Sequence, residues 1–133
     1  KSLKEAFEMK PADPLIVLIG HGSPRPQWRT PLDQLVSSLG LPAERVRLAF
    51  MEHCDPSLET VASQWLEAGG SRILVLPLFL SSGGHVQRDI VGQIESISMG
   101  NPDLNLQLLP AFGEISAVRL ALGSFIEETL AQG

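Results

Sequence analysis

The chain has 133 residues and a single cysteine, Cys54, so no disulfide can form within it. One lone thiol is typical of proteins in a reducing compartment, and we therefore expect a cytoplasmic location. The start of the chain lacks the basic, apolar and small-residue segments of a signal peptide, which argues against secretion. No apolar run is long enough to span a bilayer, so we expect no membrane partner.

Positive charge is also scarce. The sequence has 10 lysines and arginines against 15 aspartates and glutamates, which gives a formal net charge of −5. General nucleic-acid binding needs a basic surface, so this balance predicts that nucleic acid is not a partner. An anionic ligand would have to be held by a local group of arginines.

Several nucleotide, redox and metal motifs are missing as well. The absence of G-x-x-x-x-G-K-[ST] excludes a P-loop ATPase, and no G-x-G-x-x-G follows the first predicted strand. We therefore expect no nucleotide cofactor. There is no C-x-x-C pair, and His53 and Cys54 are adjacent rather than spaced like zinc ligands, so we interpret them as incidental.

The sequence does contain a regular alternation of strand and helix patterns. Continuous aliphatic runs at 15–19 and 73–80 predict strands buried on both faces, whereas alternating apolar residues at 46–50 and 104–108 predict edge strands. Helical spacing predicts four helices, with limits near Thr30 and Gly40, Asp55-Pro56 and Gly69, Val86 and Ile97, and Ile115 and Leu130.

This order predicts a three-layer α/β/α fold with a four-stranded parallel sheet and right-handed crossovers. Because the continuous runs should be central, the predicted strand order is 2-1-3-4. Residues 1–133 form a single domain, in which 1–13 are an N-terminal extension that need not be ordered. The chain leaves strands one and three in opposite directions, and the crevice at their carboxyl ends is the usual ligand site of such a sheet.

Two histidines follow the two central strands. His21 lies in the segment G-H-G-S after strand one, and His85 comes after strand three, behind Gly83-Gly84. At the rim of one crevice, two neutral imidazoles could bind a divalent metal or exchange protons. Alternatively, each is an ordinary polar loop residue. Glu52, at the end of strand two, could complete such a site or accept a proton, or it is a solvated acid.

Further polar residues surround these positions. Asp89 lies one helical turn after His85 and could orient its imidazole, although an acid in the first turn also suits the helix dipole. Gly83 and Gly84 allow a ligand to approach the backbone, or form an ordinary connector. Three arginines are predicted to flank the crevice and pair with substrate carboxylates: Arg25, Arg29 and Arg88.

Four segments resemble, in order, motifs of one enzyme family. They are LIGHGSPRP, AFMEHCDPSLE, LVLPLFLSSGGHVQRDI and LPAFGE, and the likeness runs from about Leu15 to Glu114. The family is that of the short CbiX-type class II chelatases, the sirohydrochlorin cobaltochelatases and ferrochelatases of cobalamin and sirohaem biosynthesis. The resemblance implies the chelatase fold and, at this length, pairing as a homodimer. In the family an arginine usually follows the G-H-G-S serine, whereas here Pro24 intervenes before Arg25.

The resemblance also implies an activity, the ATP-independent insertion of a divalent metal into sirohydrochlorin. Co²⁺ is the first expectation, with Fe²⁺ or Ni²⁺ as further ones. His21 and His85 match the metal-binding and proton-handling histidines of the family, and Glu52 matches its acid after strand two. On this interpretation the substrate contacts are Ser23, Arg25, Gly83, Gly84 and Arg88.

Two other classes of function remain open from the sequence. A non-catalytic carrier of metal or tetrapyrrole would keep the same ligands on the same fold. A serine hydrolase would use Ser23 as its nucleophile. The G-x-S-x-G elbow is absent, however, and Ser23 is too close to His21 in sequence for a natural triad.

Overall fold

The structure, a computed structural model, describes residues 13–81 and 83–133. Most of the predicted N-terminal extension, residues 1–12, lies outside the described residues. Within them, four parallel strands form a sheet in the order β2-β1-β3-β4, which confirms the predicted order. The strands are β1 (Leu15–Gly20), β2 (Val46–Phe50), β3 (Arg72–Pro77) and β4 (Asn105–Leu108).

Four α-helices alternate with these strands in the described chain. They are α1 (Pro26–Ser38), α2 (Leu58–Glu67), α3 (Gly84–Gly100) and α4 (Ser116–Gln132), and a short 3-10 helix, Phe112–Glu114, precedes α4. The predicted α/β class is therefore confirmed. No helix of the described residues combines the length and apolar character needed to cross a bilayer.

Helix α1 begins four residues earlier than predicted. Its first residue is Pro26, where a missing N–H has no helical partner to lose. The prediction of Thr30 as the cap is wrong, because Pro31 lies inside the helix and removes one internal hydrogen bond. Trp28 and Leu32 pack on the sheet and offset that loss.

Helix α2 begins slightly later than predicted. The hydroxyl of Ser57 accepts a hydrogen bond from the backbone N–H of Thr60 at 3.1 Å, so Ser57 rather than Asp55-Pro56 caps the helix. Both α1 and α2 end just before the predicted stops, Gly40 and Gly69.

Strand alternation divides the core between the two faces of the sheet. Helices α2 and α3 cover one face, whose central residues include Val17, Ile19, Ile73 and Val75. Helix α1 covers the other face over β1 and β2, where Leu18, Val46, Leu48 and Phe50 form a second core.

The same face is less covered across β3 and β4. Leu74 and Leu76 of β3 are half-buried there, and Asn105 and Gln107 of β4 are exposed. Helix α4 forms where the sequence predicts it, yet none of its residues is buried. Helix α4 contacts mainly the 3-10 helix that precedes it rather than the sheet.

Candidate functional site

His21 lies in the loop after β1, at the carboxyl edge of the sheet. Its exposed ring meets the ring of Phe79 edge-on, with the ring centres 5.1 Å apart and the planes at 63°. Phe79 follows β3, which is the direct neighbour of β1. The structure thus places the first predicted histidine at the junction of the two central strands.

A short backbone ladder beyond the strand ends holds the His21 loop. The N–H of Met51 donates to the carbonyl of Gly20 at 3.0 Å, and the N–H of Glu52 donates to the carbonyl of His21 at 3.1 Å. Gly22 approaches this segment so closely that a Cβ there would lie 1.6 Å from the carbonyl oxygen of Glu52. Its φ of +99° also favours glycine. Position 22 therefore requires glycine for two reasons, the close approach to Glu52 and the positive φ.

Cys54 holds the other end of the same loop. Its thiol donates to the carbonyl of Ser23 at 2.9 Å and accepts from the N–H of Ser23 at 3.3 Å. Cys54 is half-buried and not disulfide-bonded. Sequence analysis missed this anchor, because a contact between residues 31 positions apart leaves no local pattern.

Ser23 is held as part of the loop. Its hydroxyl accepts a hydrogen bond from the N–H of Arg25 at 3.2 Å, which is the geometry of a serine turn. In the described part of the chain no hydrogen bond joins Ser23 to His21. The serine hydrolase alternative is therefore not favoured, and the substrate contact of Ser23 stays a prediction.

The backbone of Glu52, rather than its side chain, contacts the His21 loop. Beyond its N–H bond to His21, its exposed carboxylate has Oε1 at 3.7 Å from Nε2 of His53. This distance suits an ion pair when the imidazole is protonated. The proton-accepting role of the Glu52 side chain stays a prediction.

His85 lies exposed in the first turn of α3, directly after Gly83 and Gly84. Gly84 has a φ of +67°, and a Cβ at either glycine would meet nothing within 4 Å. The N–H groups in the first turn of a helix have no partner within the helix, so this helix start offers donors to a ligand. The pairing of His85 with His21 around one cation stays a prediction.

Asp89 lies one turn further along α3 than His85. No hydrogen bond joins the two side chains in the residues that the structure describes. Asp89 instead lines a groove between α2 and α3 together with Ser57 and Glu59. Its role in orienting His85 stays a prediction. Across residues 13–81 and 83–133, no three His, Cys, Asp or Glu side chains are grouped to hold a metal ion.

The three predicted arginines differ in their contacts and exposure. Arg29 has Nε at 3.3 Å from a carboxylate oxygen of Asp33. Its guanidinium also donates to the carbonyl of Asp55 and lies 4.9 Å from the centre of the Phe50 ring. The fold itself thus uses the guanidinium of Arg29, and its role in holding a substrate carboxylate stays a prediction. Two predicted substrate contacts remain exposed at the start of α1 and on α3: Arg25 and Arg88.

An apolar cavity of about 250 Å³ adjoins the histidine loop. It lies between the ends of β3 and β4 and the first turns of α3, and its walls include Pro77, Phe79, Val86, Ile90 and Leu108. Phe79 belongs both to this wall and to the contact with His21. Apolar surface and a metal-binding type of side chain therefore adjoin at one edge of the sheet.

Comparison with known proteins gives consistent results. The CbiX family model matches residues 15–129. The sirohydrochlorin cobaltochelatase of Methanopyrus kandleri is 37% identical over 78 residues, which cover 56% of this chain and 54% of that protein. The sirohydrochlorin cobaltochelatase of Methanosarcina acetivorans is 32% identical over 93 residues, which cover 68% of this chain and 72% of that protein. The chain thus matches about half the length of the first relative.

Solved structures show the same likeness. A cobalamin (vitamin B12) biosynthesis CbiX protein from Marinobacter aquaeolei VT8 has a TM-score of 0.79 and 26% identity, over 91% of this chain and 100% of that chain. The sirohydrochlorin chelatase SirB from Bacillus subtilis subspecies spizizenii, in complex with cobalt, has a TM-score of 0.67 and 22% identity, over 86% of this chain and 50% of that chain; it shows the fold alone. Because the family model spans most of its sequence, the chain belongs to the CbiX family.

Proposed function

We propose that this chain inserts a divalent metal ion into a sirohydrochlorin-type tetrapyrrole without ATP. Cobalt is the first candidate, and iron or nickel are the others. Membership of the CbiX family and relatives named sirohydrochlorin cobaltochelatase support this. The observation that carries the proposal is the contact of His21 with Phe79, a wall residue of an apolar cavity, which brings a candidate metal ligand next to a surface for a ring.

The reaction needs a partly desolvated metal ion close to the ring nitrogens. His21 suits delivery of the ion, because its ring is exposed and no hydrogen bond to its ring nitrogens is present in the described chain. Neutral imidazole is a common ligand of cobalt, iron and nickel. The loop is held through backbone atoms and the Phe79 contact, so the imidazole is positioned while its nitrogens can bind the ion.

The reaction also releases two protons from pyrrole N–H groups. We assign these protons to His85 and Glu52, whose side chains are exposed on segments that follow β3 and β2, the two neighbours of β1 in the sheet. An exposed imidazole and carboxylate can pass protons on to water, which resets the site for the next cycle. This step requires no nucleotide, in agreement with the missing P-loop motif.

The substrate is larger than the cavity. Pockets that enclose a drug-sized ligand usually measure roughly 300–1,000 Å³, and this cavity holds about 250 Å³. We therefore expect one edge of the macrocycle to enter the cavity while the rest lies over the carboxyl edge of the sheet. The carboxylates of the ring would then meet the open start of α3 and the exposed guanidinium groups of Arg25 and Arg88.

We further propose that the chain acts in the cytoplasm as a homodimer. The single cysteine supports a reducing compartment. The resemblance of the chain to the short CbiX-type chelatases supports the homodimer.

The test is an absorbance assay of sirohydrochlorin with Co²⁺, Fe²⁺ or Ni²⁺, with and without the protein. We expect the protein to accelerate insertion of at least one ion. The double variant H21A/H85A should lose at least about 100-fold in rate, since it removes both a metal ligand and a proton acceptor. His53→Asn is the matched control, because His53 is exposed and its φ of 64° is one that asparagine tolerates.

Two outcomes would contradict the proposal. One is wild-type insertion by H21A/H85A. The other is binding of both metal and tetrapyrrole by the wild type with no increase in insertion rate, which would identify a carrier instead.

A further inference from the structure

Leu80 is an apolar residue that the fold leaves exposed beyond the end of β3. It follows Leu78, which packs in the core under α1, and Phe79, which packs in the core under α2 and α3. In the described chain Leu80 packs in neither core, and it is 82% exposed. Single exposed leucines are common on protein surfaces, so exposure alone indicates no function. The held backbone of Leu80 and its place beside the candidate site distinguish it from them.

The backbone around Leu80 is held from two sides. On one side, the N–H of Leu78 donates to the carbonyl of Ile19 in β1 at 2.9 Å. On the other side, the N–H of Gly113 in the 3-10 helix donates to the carbonyl of Phe79 at 3.0 Å. A Cβ at Gly113 would lie 2.2 Å from the carbonyl oxygen of Leu80, so only glycine allows the two segments to approach this closely. Exposed loop residues usually have a mobile backbone, whereas that of Leu80 is fixed by its neighbours.

Leu80 also adjoins the parts of the candidate site that suit a ring. Its neighbour Phe79 contacts the ring of His21 and forms a wall of the apolar cavity. Phe112 precedes Gly113 and is 39% exposed, so the segment that touches Leu80 adds a second exposed apolar side chain. The candidate metal ligand therefore has apolar side chains near it on a backbone that is already ordered.

We propose that the side chain of Leu80 packs against one face of the tetrapyrrole macrocycle and holds the ring beside His21. The inference rests on the proposed insertion reaction and adds a residue that positions its substrate. The face of a tetrapyrrole is a broad apolar π surface, whereas its carboxylates lie at the rim. An aliphatic side chain on an ordered backbone can remove water from such a face at little cost in entropy.

The macrocycle matches the surroundings of Leu80 in both apolar and charged groups. The cavity of about 250 Å³ is too small for the whole ring, so most of the macrocycle would lie over the carboxyl edge of the sheet, where Leu80 is exposed. Arg25 and Arg88 are exposed at the start of α1 and on α3, where they can meet the carboxylates of the rim. Leu80 and the arginines would thus contact different parts of one substrate.

A residue in this role contributes to binding of the ring rather than to the chemistry. Its contact with the macrocycle is similar before and after the metal enters, so its loss should raise the KM for the tetrapyrrole while kcat changes little. The metal ion is assigned to His21, so the KM for Co²⁺ should stay the same. This pattern separates Leu80 from the histidines, whose loss should lower kcat.

The first experiment measures binding of sirohydrochlorin in the absence of metal, by fluorescence titration. Leu80→Ser should raise the dissociation constant about tenfold, the value expected for the loss of roughly 50 Å² of apolar contact. Leu80→Met keeps an apolar side chain of similar volume and should restore binding to within about twofold of the wild type.

Met99→Ser is the matched control. Met99 is another exposed apolar residue, 85% exposed, and it lies at the C-terminal end of α3, away from the carboxyl edge of the sheet. Its replacement should leave the dissociation constant unchanged. Because both residues are exposed, urea denaturation should give wild-type stability for all three variants.

The second experiment measures steady-state insertion of Co²⁺ by the same variants. For Leu80→Ser we expect the KM for sirohydrochlorin to rise about tenfold, in parallel with the dissociation constant. The kcat and the KM for Co²⁺ should stay within about twofold of the wild type. Leu80→Met and Met99→Ser should match the wild type in all three quantities.

The outcomes separate this inference from the proposed function. Wild-type binding by Leu80→Ser, or equal weakening by Met99→Ser, would overturn the role of Leu80 and leave the insertion reaction standing. A lower kcat with an unchanged dissociation constant would also overturn it, because Leu80 would then act on the chemistry rather than on ring binding. A wild type that inserts no metal but binds the tetrapyrrole more tightly than Leu80→Ser does would overturn the insertion reaction and support the contact of Leu80 with the ring.

Discussion

The two ends of the sheet differ in their polar side chains: one end holds a buried, hydrogen-bonded arginine and the other an exposed histidine. At the amino end, Arg45 is 2% exposed, and its Nη1 donates to the carbonyls of Asp13 and Pro14 at 2.9 and 3.3 Å. At the carboxyl end, the imidazole of His21 is exposed, and no hydrogen bond to its nitrogens is present in the described chain. A buried charge must be paired to be tolerated, whereas a group that acts on a ligand must keep its lone pairs accessible.

At the amino end of the sheet, several chain segments are held together by buried contacts. The guanidinium of Arg45 lies 5.7 Å from the ring centre of Trp65, and the indole N–H of Trp65 donates to the carbonyl of Arg72 at 2.9 Å. Gly70 lies against the same ring, where a Cβ would come within 2.1 Å. The segments that lead into β1, β2 and β3 therefore meet at one point. The fold is therefore anchored at one end of the sheet, which leaves the other end free for chemistry.

The largest loss of stability should follow from removing the contacts of Arg45 at the amino end of the sheet. Arg45→Met removes the donors of two carbonyls while it keeps most of the side-chain volume. We expect the free energy of unfolding to fall by about 3 kcal/mol in urea denaturation. Arg47→Met is the matched control. Arg47 is half-buried and bonds to Gln64 at 2.6 Å, and its loss should cost less than about 1 kcal/mol.

The insertion rate per folded molecule should be the same in both arginine variants, because neither residue lies at the carboxyl edge. Equal losses of stability for Arg45→Met and Arg47→Met would show that the buried guanidinium is not an anchor. A slower insertion by folded Arg45→Met would show that the two ends are not separable.

At the carboxyl end of the sheet, the largest effect on stability and activity should come from Gly22→Ala. The new Cβ would collide with the carbonyl of Glu52 and force the two loops apart. We expect a loss of about 2 kcal/mol in stability together with most of the insertion activity. Gly40→Ala is the control, because Gly40 has a φ of +69° but nothing within 4 Å of a Cβ. It should cost about 1 kcal/mol and leave the insertion rate unchanged. Similar activities for the two variants would contradict the importance of the loop ladder.

The architecture could be predicted largely because burial on both faces leaves a direct mark. A central parallel strand needs apolar side chains at every position, and the runs at 15–19 and 73–80 show this. The start of α1 could not be predicted in the same way, because Thr30-Pro31 and Arg25-Pro26 are both acceptable helix starts. The tertiary contact of Trp28 with Phe50, whose ring centres lie 5.8 Å apart, favours the earlier one.

The candidate site also has one part that the sequence predicts and another that it does not. The place of His21 follows from chain order alone, since it stands after a central strand. The groups that hold it depend on the register of β1 with β2, in which Gly20 pairs with Phe50, and this register brings Cys54 to the loop. For α4, periodicity predicts a helix with one apolar side but contains no information about which surface that side meets.

Cys54 offers a smaller test of the open end. Cys54→Ala removes both thiol hydrogen bonds to Ser23, and we expect a loss of about 1 kcal/mol in stability. Cys54→Ser keeps a donor and an acceptor on a shorter side chain, so it should recover part of that loss and part of the insertion rate. The measurement is urea denaturation alongside the insertion assay. If Cys54→Ala matched the wild type in both, the thiol would not position the histidine loop.

The smallest effects should distinguish the two glycines before His85. Gly84→Ala strains a backbone with a φ of +67° and should cost about 1 kcal/mol or slightly less, whereas Gly83, with a φ of −86°, accepts alanine without strain. Among the described residues, nothing lies within 4 Å of a Cβ at either position, so we expect the added methyl group to meet an incoming ligand. Gly83→Ala should therefore keep wild-type stability and raise the KM for the tetrapyrrole. An unchanged KM would mean that the substrate does not approach this backbone, and that the glycine pair serves only to start α3.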